Sequence, residues 1–342
     1  MPVTLKDIAQ RVGVSITTAS RALGGYEDVA ETTREKVLRA AEELGYYPSA
    51  TARQLQKQRT DTIGFIIPTF GPRFSDPYFS ELLAGIGNEA AHHNFDLLVS
   101  TRSPDSSEEE EAYRRLVDGR RVDGVLVVRT RIKDPRLSYL MQRGFPFVAF
   151  GRSHADNKDF PYLDVDGQKG LRDAVQHLID LGHERIAYVS APRNLTFATH
   201  RLAGYKQALQ ENGLVYDEYL VVVGHLTEED GYQAAHRLLS LPNPPTAIAV
   251  ANDLMALGAV RAIHERGLDV GHDVAITGFD DIPLAAHARP SLTTVRQPIY
   301  EIGRRVCRML IQVIKGEPLA ERHILLEPTL VIRESSGAPR NE

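Results

Sequence analysis

The chain has 342 residues, of which 42% are hydrophobic and 25% charged, with a formal net charge of −5 and a single cysteine, Cys307. This length and composition predict a globular protein of two or three domains, and the negative net charge excludes a chain that coats nucleic acid along its whole length. One cysteine excludes an intramolecular disulfide and fits a reducing compartment. No apolar run is long enough to span a bilayer and the start lacks the features of a signal peptide, so we expect a cytoplasmic protein.

Residues 4–25 predict two short helices joined by a tight turn. One apolar stripe marks the first helix: Leu5, Ile8, Ala9 and Val12. Gly13 can end this helix through a left-handed conformation, and Ser15 can cap a second helix that runs from Ile16 to Leu23. This pattern is typical of a DNA-binding helix-turn-helix, whose second helix lies in the major groove. An ordinary helical hairpin has the same pattern.

A third helix and a linker are predicted next. Thr32 and Glu35 have capping-box spacing and predict a helix that extends through Leu44. Its inward side would carry Val37, Leu38 and Ala41. We therefore assign 1–45 to a three-helix head and 46–60 to a linker. Residues 1–60 contain nine Lys or Arg and seven Asp or Glu, so phosphate contact would be confined to this mildly basic end.

From residue 61 onward, short apolar runs alternate with helical segments. Continuous Val, Ile and Ala runs are typical of strands covered on both faces, and alternating β and α units predict parallel, doubly wound sheets. The predicted strands are 63–68, 95–101, 122–128, 145–150, 184–191, 219–224, 246–251 and 273–279. Eight strands with this much helix indicate two lobes, so the fold class is α/β with a helical head.

The strings TLKDIAQRVGVSITTASRAL and ETTREKVLRAAEELGYYPSATARQL resemble the lactose-repressor (LacI) family of bacterial transcription regulators, and the resemblance extends over essentially the whole chain. It implies a two-lobed, periplasmic-binding-protein-like sensor over 61–336. The chain would cross between lobes near 160, 290 and 320, with 292–298 and 323–336 as crossover strands. The first lobe would then comprise about 61–160 and 292–320. The second would comprise about 161–291 and 321–336.

The resemblance also implies which side chains of the head contact DNA. Ile16, Thr17 and Arg21 match positions that face base edges, where arginine can donate two hydrogen bonds to guanine. Three residues have short hydroxyls suited to phosphate oxygens: Thr4, Thr18 and Ser20. For Thr18 and Ser20, a plain position on the helix surface is an equal alternative.

In the family, a leucine at the place of Leu55 inserts into the minor groove where two linkers pair as short helices. Ala50 and Ala52 would let these helices approach closely. A segment this short is not helical alone in water, so it should order only in a dimer on DNA. Gly24 departs from the family, many of whose members have asparagine there. The resemblance therefore does not decide whether this position contacts a phosphate, nor where the recognition helix ends.

Polar residues follow predicted strands of the second lobe, where ligands bind in open α/β sheets. They are Arg201, Asn252, Asp253, Asp280 and Asp281. The resemblance implies that Arg201, Asn252 and Asp280 contact an effector, and a guanidinium, an amide and a carboxylate suit vicinal hydroxyls. Asp253 and Asp281 are predicted to cap the helices that they precede, whereas Asn252 fits either role.

Further effector contacts are predicted in the first lobe and the cleft. They are Asp76, Tyr78, Phe79 and Arg129 from their places after predicted strands, and Tyr162 and Phe197 because the resemblance implies that they match pocket-lining positions. Aromatic rings beside hydroxyl-binding groups favour a saccharide, although Phe79 also fits a core position. Gly151 stands where some relatives have an acidic residue, so a purine effector stays an alternative.

The sequence contains no dinucleotide-binding glycine motif, P-loop or nucleophile elbow, and His92 and His93 point to different sides of a helix. We therefore expect no enzyme, metal, cofactor or membrane contact. The prediction is a cytoplasmic bacterial repressor, homodimeric on pseudo-palindromic double-stranded operator DNA, whose affinity a sugar or glycoside controls. The rival is a solute-binding protein, which would need export and has no use for residues 1–60.

Overall fold

The chain divides into two compact units at Thr60 and Asp61 in the computed structural model, which describes residues 3–46, 59–69, 76–153 and 159–338. The amino-terminal unit contains helices α1 (Leu5–Val12), α2 (Ile16–Leu23) and α3 (Glu31–Leu44). Small side chains let these helices pack closely, and the buried core consists of Ile8, Ala9, Ala19, Ala22, Val29, Val37, Ala40 and Ala41.

The turn between α1 and α2 has the predicted local chemistry. Gly13 ends α1 with a φ of +75°, which glycine adopts without a steric penalty. Ser15 caps α2, because its Oγ accepts a hydrogen bond from the amide of Thr18 at 3.0 Å. Helix α2 thus begins at the residue that its cap predicts.

The start and the inward face of α3 differ from the prediction. The helix begins at Glu31 behind Ala30, which provides no capping side chain, so the capping box assigned to Thr32 and Glu35 is wrong. Leu38 is 48% exposed, whereas Ala40 is buried against the other helices. Close approach of three short helices favours the small side chain at this contact.

The larger unit has two six-stranded sheets, with strands numbered here in chain order. The first sheet has the spatial order β11-β5-β4-β3-β1-β2 and is entirely parallel. Its strands are β1 (Thr62–Pro68), β2 (Asp96–Arg102), β3 (Gly124–Val128), β4 (Phe147–Phe150), β5 (Tyr162–Val165) and β11 (His323–Leu326). Its helices are α4 (Pro77–His92), α5 (Ser107–Val117), α6 (Pro135–Gln142) and α12 (Ile299–Lys315). Together these elements form the first lobe.

The second lobe has the strand order β12-β10-β9-β8-β6-β7, in which only β12 is antiparallel. Its strands are β6 (Ile186–Ser190), β7 (Val221–Val223), β8 (Ala247–Val250), β9 (Ala275–Asp280), β10 (Thr293–Arg296) and β12 (Thr329–Val331). Its helices are α7 (Gly167–Asp180), α8 (Thr196–Glu211), α9 (Glu228–Leu239), α10 (Asp253–Glu265) and α11 (Pro283–His287). Helices therefore alternate with the parallel strands in both lobes.

The structure corrects the predicted boundaries of the lobes. Strand β10 pairs with β9, so the expected first-lobe range 292–320 wrongly includes it. Strand β11 pairs with β5, so 321–326 lies in the first lobe and not in the second. The chain crosses between the sheets after β5, after β10 and between β11 and β12. These strands are three or four residues long, and their own sequence does not determine which sheet they join.

Two features of single helices complete the fold. Cys307 is fully buried on α12, as expected of a side chain that fills the core. Across the residues that the structure describes, no helix has the length and apolar character needed to cross a membrane.

Candidate functional site

A cavity of about 60 Å³ lies between the lobes, where the carboxyl ends of strands from both sheets meet. Its walls come from the ends of β3, β4, β5, β9 and β10 and from the start of α8. The lining residues are Tyr78, Val128, Arg129, Thr130, Phe150, Gly151, Asp164, Val165, Gly167, Phe197, His200, Arg201, Leu226, Asn252, Asp280 and Gln297. This is the location at which open α/β sheets bind ligands.

Arg201 is the central cation of this cavity. Its side chain is buried, and its guanidinium lies 3.5 Å from the ring centre of Phe279 and 4.6 Å from that of Phe197. Nη1 donates a hydrogen bond to the carbonyl oxygen of Ala251, and Nη2 lies 3.9 Å from Asp280 Oδ1. Nε has no hydrogen-bond partner among the described residues. A buried donor of this kind is suited to a ligand oxygen.

Asp280 places a carboxylate beside this arginine. It ends β9 with a φ of +123°, a backbone conformation that is rare outside glycine and common at functional sites. Its Oδ1 accepts a hydrogen bond from Gln297 Nε2 at 2.6 Å. Burial raises the pKa of Asp280 to about 7, although Arg201 and Gln297 lower it. The cavity therefore contains an acid that titrates near neutral pH.

This titration predicts a pH-dependent stability. Because Asp280 has a higher pKa in the folded protein than in the unfolded chain, the folded state binds more protons between about pH 4 and pH 7. The free energy of unfolding should fall as the pH rises through this window, by up to about 1.4 kcal/mol per pH unit. Burial also raises the pKa of Asp253, so we expect Asp280→Asn to reduce this dependence, as measured by urea unfolding at pH 5, 6, 7 and 8.

The matched control is Asp96→Asn, which changes an exposed aspartate at the start of β2. In Asp96→Asn, the free energy of unfolding should fall with rising pH as it does in the unsubstituted protein. The assignment to Asp280 is contradicted if Asp280→Asn and Asp96→Asn show the same slope between pH 5 and pH 7.

In the second lobe, Asn252 caps α10, whereas Asp253, which was predicted to cap it, has another role. Asn252 lines the cavity and also caps α10, because its Oδ1 accepts a hydrogen bond from the amide of Met255 at 3.2 Å. Asp253 is fully buried and accepts hydrogen bonds from the Ile282 amide and the Thr294 hydroxyl, at 2.9 Å and 2.5 Å. It joins three segments and does not cap α10, so the predicted capping role is wrong.

Asp281 also has a different role from the predicted cap. Ile282 occupies the capping position of α11, and the Asp281 carboxylate binds Arg296 and Arg333, each at 2.6 Å. Arg333 belongs to the last segment of the chain, which has returned from the first lobe. This ion-pair cluster therefore fixes the crossover segments in place.

The first lobe contributes Arg129 and Tyr78 to the cavity lining. Asp76 caps α4 and binds Arg129 Nη2 at 2.9 Å, while the Arg129 guanidinium lies 4.6 Å from the ring centre of Phe79. Phe79 is only 1% exposed and belongs to the core of this lobe. Asp76 and Phe79 thus position Arg129 and are not among the described residues that line the cavity, so their predicted effector contacts stay predictions.

Tyr162 also lies away from the cavity. It is the first residue of β5, at the amino edge of the sheet, and its ring stacks on His323 with 4.7 Å between ring centres. Asp164, further along the same strand, lines the cavity and binds Arg152 at 2.7 Å. Sequence reasoning missed Asp164 and Gln297. Gln297 follows a strand that the family resemblance implied, whereas Asp164 lies in a strand that the apolar runs did not predict.

At Gly151, the backbone conformation and the neighbouring Thr130 leave no room for a side chain. Its φ is +117°, and a Cβ placed there would come within 2.4 Å of Thr130 Oγ1. The Thr130 hydroxyl donates to the carbonyl oxygen of Arg152 at 2.6 Å. A larger residue at 151 would therefore displace the loop that contains Thr130.

On the head, four of the residues predicted to contact DNA lie on one surface of α2. Ile16, Thr17, Ser20 and Arg21 outline a shallow depression together with Leu5 and Tyr26. Arg21 Nε donates to Asp28 Oδ1 at 3.2 Å, and its guanidinium lies 5.0 Å from the Tyr26 ring centre. Sequence reasoning missed Tyr26 and Asp28, which hold the arginine from a loop.

The remaining predictions for the head have different outcomes. The Thr4 hydroxyl donates to Asp7 at 2.7 Å and the Thr18 hydroxyl lies 2.8 Å from Ser15 Oγ, so both sit at helix starts. Helix α2 ends at Leu23, and a Cβ at Gly24 would lie 3.0 Å from the Tyr26 ring. Tyr26 thus occupies space that a side chain at 24 would need. The linker positions Ala52 and Leu55 lie outside the described residues.

A helix-turn-helix unit and a two-lobed domain with a cavity at its cleft define a class of protein, the ligand-responsive DNA-binding regulators. The chain belongs to the lacI family of bacterial regulatory proteins, whose model matches residues 4–49. A second model, for a periplasmic binding protein-like domain, matches residues 175–336. The chain is therefore a transcriptional regulator and not an enzyme.

Relatives span nearly the whole chain. The transcriptional regulator AglR of Rhizobium meliloti is 39% identical, with 98% of this chain and 95% of the relative covered. The repressor CytR of Escherichia coli is 35% identical, with 98% and 96% covered. A solved complex of the regulator CelR with cellobiose has a TM-score of 0.75 at 35% identity, covering 97% of this chain and 99% of that one. A lac repressor dimer bound to operator has a TM-score of 0.86 at 30% identity, covering 99% and 100%.

Proposed function

We propose that this chain acts in the cytoplasm as a homodimeric repressor on a pseudo-palindromic operator, and that a sugar or glycoside bound between the lobes controls its operator affinity. The observation that carries the effector assignment is the cavity lining, in which Arg201, Asp280 and Asn252 lie beside the rings of Tyr78 and Phe197. Charged and amide groups next to aromatic faces are suited to hydroxyls on a ring that has one apolar face.

The chemistry of the cavity supports a neutral polyhydroxylated ligand. Arg201 donates to Ala251, while its Nε has no partner in the described part of the chain, so a donor remains for a ligand oxygen. Arg201 lies beside Asp280, Arg129 binds Asp76 and Arg152 binds Asp164, so opposite charges are paired around the cleft. The solved CelR complex, 35% identical, holds cellobiose and supports the same ligand class here.

For operator recognition, we propose that the exposed face of α2 reads base edges. Ile16 is 49% exposed and the Arg21 side chain 42% exposed, so both can reach a groove. The proposed base contacts are Ile16, Thr17 and Arg21, the proposed phosphate contacts are Thr4, Thr18 and Ser20, and the proposed linker contacts are Ala52 and Leu55. A homodimer places two such faces on half-sites about one helical turn apart.

Regulation requires a ligand that binds two arrangements of the protein with different affinity. The three crossover segments connect lobes that otherwise have separate sheets, so a change of the angle between lobes is the available motion. We propose that the effector changes this angle and thereby the spacing of the two heads.

A ligand panel and a DNA selection test this function together. Thermal unfolding should be recorded with mono- and disaccharides, including cellobiose, and with purine nucleosides. A sugar at 100 times its Kd should stabilise the folded state by about 2.7 kcal/mol and raise the Tm by several degrees. The DNA sequences that the protein selects should have two-fold symmetry, and the affinity of the protein for them should fall steeply as the salt concentration rises.

The two parts of the proposal can fail separately. Stabilisation by a nucleoside without stabilisation by any sugar would assign the effector to the purine alternative. Selection of DNA without two-fold symmetry would contradict the homodimer on a pseudo-palindrome, whichever ligand binds.

A further inference from the structure

A second cavity lies in the first lobe, between helices α5 and α6 and apart from the cleft between the lobes. Its volume is about 280 Å³, close to the roughly 300 Å³ at which pockets for small ligands begin. None of its described lining residues also lines the cavity at the cleft. Its lining includes Glu109, Tyr113, Arg131, Pro135, Arg136 and Tyr139.

This cavity lies against a cluster of buried charges that are paired with each other. Arg131 Nη2 binds Glu109 Oε2 at 2.6 Å. Arg136 binds Glu109 at 3.4 Å and Asp134 at 2.7 Å. Each of these four residues is at most 4% exposed. Because charges lose their hydration on burial, apolar side chains of similar volume often stabilise a protein as well as such a cluster does, so the cluster indicates a role beyond stability.

The hydroxyl of Tyr113 is a buried donor beside this cluster. Tyr113 is only 2% exposed, and its hydroxyl has no hydrogen-bond partner among the described residues. Burial raises the pKa of Tyr113 to about 12, so the phenol keeps its proton at neutral pH. The charges of Arg136 and Glu109 act on this ionisation, which places the hydroxyl next to them. Buried hydroxyls are rarely left unpaired, so this one is suited to a ligand oxygen.

The charges around the cavity cancel. Among the described lining residues, three are arginines and three are carboxylates, and each belongs to an ion pair. At the exposed rim, Arg114 lies 3.7 Å from Glu110. Arg131 Nε lies 3.1 Å from Asp105. An anionic ligand would compete with these carboxylates for the arginines, and a cationic ligand would compete with the arginines, so the cavity favours an uncharged ligand.

Two kinds of contact are available to such a ligand. A hydroxyl can donate to a carboxylate and accept from the Tyr113 hydroxyl, so it suits a wall in which donors and acceptors alternate. Tyr139 and Pro135 provide an apolar surface on the side of α6. We infer that this cavity is a second binding site of the sensor, for an uncharged hydroxylated ring of monosaccharide or cyclitol size. It is independent of the proposed function, because the two cavities share no described lining residue.

A tryptophan reporter tests this site directly, since the chain contains no tryptophan. Tyr139→Trp keeps an aromatic wall and leaves every charge in place, and position 139 is only partly buried, so the larger ring has room. Titration of the full chain with D-glucose, D-galactose and myo-inositol should change the emission of this tryptophan saturably for at least one probe. Lys315→Trp, at an exposed position of α12 on the other face of the sheet, is the control and should show no change.

Phe197→Trp reports on the cleft in the same way. Probes that change the emission at position 197 but never at position 139 bind only in the cleft. That outcome overturns the second site, and so does the absence of a saturable change at position 139 with all three probes. The two reporters are read separately, so a failure of the sugar assignment at the cleft leaves the result at position 139 unaffected.

A charged probe tests the class of ligand. The phosphate monoester of the probe that binds should have an affinity at least about 10-fold lower at the position-139 reporter, because its charge meets carboxylates and arginines that are already paired. Equal or tighter binding of the phosphate monoester would overturn the uncharged class.

Removal of one hydroxyl tests the role of Tyr113. Tyr113→Phe, made beside Tyr139→Trp, should raise the Tm of the ligand-free protein, because a buried group without a partner is lost, and should weaken probe binding about 2-fold to 10-fold. Tyr205→Phe removes a buried hydroxyl that donates to the carbonyl oxygen of Ile186 at 2.8 Å, so it should lower the Tm and leave probe binding unchanged. A lower Tm or unchanged probe binding in Tyr113→Phe would overturn the site as assigned.

Discussion

Replacing Arg201 with alanine is expected to abolish the response to the effector while the protein still binds its operator. Arg201 is the buried donor at the centre of the cavity, and its Nε has no hydrogen-bond partner within the described ranges. A charged hydrogen bond to a ligand contributes about 1.5–3 kcal/mol, so we expect sugar affinity to fall at least about 10-fold to 100-fold. Calorimetric titration with the panel sugar measures this loss.

The same substitution should lower the stability of the sensor. Burial raises the pKa of Asp280 and of Asp253. The Arg201 guanidinium lowers the pKa of Asp280, and does so more strongly than Arg129. Removal of one partner of a buried ion pair costs about 3–5 kcal/mol, because the other charge is left uncompensated. We therefore expect a lower Tm and a higher pKa for Asp280.

A second substitution separates these two effects. In Arg201→Ala/Asp280→Asn no buried carboxylate is left unpaired at position 280, so much of the stability should return while sugar affinity should not. Arg172→Ala, which removes a partly exposed arginine paired with Glu211, is the control for loss of a surface charge. Unchanged sugar affinity in Arg201→Ala would place the effector site elsewhere.

Arg21→Ala is expected to weaken operator binding by about 1–3 kcal/mol and to relax the base preference at one position of each half-site. The Arg21 side chain is 42% exposed on α2, and the Tyr26 ring and Asp28 hold it in place. An arginine positioned in advance loses little rotamer freedom when it binds guanine. Binding to a library of single-base operator variants measures both effects.

Two variants distinguish base reading from simple attraction to phosphate. Arg21→Lys keeps the charge but loses the planar guanidinium that donates two hydrogen bonds to one base, so it should reduce specificity more than affinity. Asp28→Asn removes the anion that competes with DNA for Arg21, and should bind all DNA sequences more tightly without changing the preferred base. Arg21 is excluded as a base reader if Arg21→Ala keeps the full preference at every position.

Local signals predicted much of the head and of the strand framework. Ser15 caps α2 and Gly13 ends α1, because these contacts involve residues only a few positions apart. The same local reasoning failed for α3, where Ala30 occupies the capping position and Leu38 faces solvent. Packing of three short helices outweighed the capping preference there.

Residues that line the cavity were predicted where the carboxyl ends of strands could be recognised. Arg201, Asn252 and Asp280 meet in one cavity, since parallel strands bring their carboxyl ends to the same edge. Strand β5 was missed because the sequence of Tyr162–Val165 includes the charged Asp164 and is not a continuous apolar run. With that strand unrecognised, Asp164 was overlooked.

By itself, the sequence determined the family, the helix-turn-helix, the alternation of strands and helices, and the main polar residues at the cleft, because each depends on spacing or on a short motif. Only the tertiary structure decided which lobe contains β10 and β11, that Asp253 and Asp281 join distant segments, and that Arg131 and Arg136 meet Glu109 at a second cavity. The physical reason is sequence separation. A short strand or a buried carboxylate takes its partners from segments tens or hundreds of residues away, and only the folded chain brings them together.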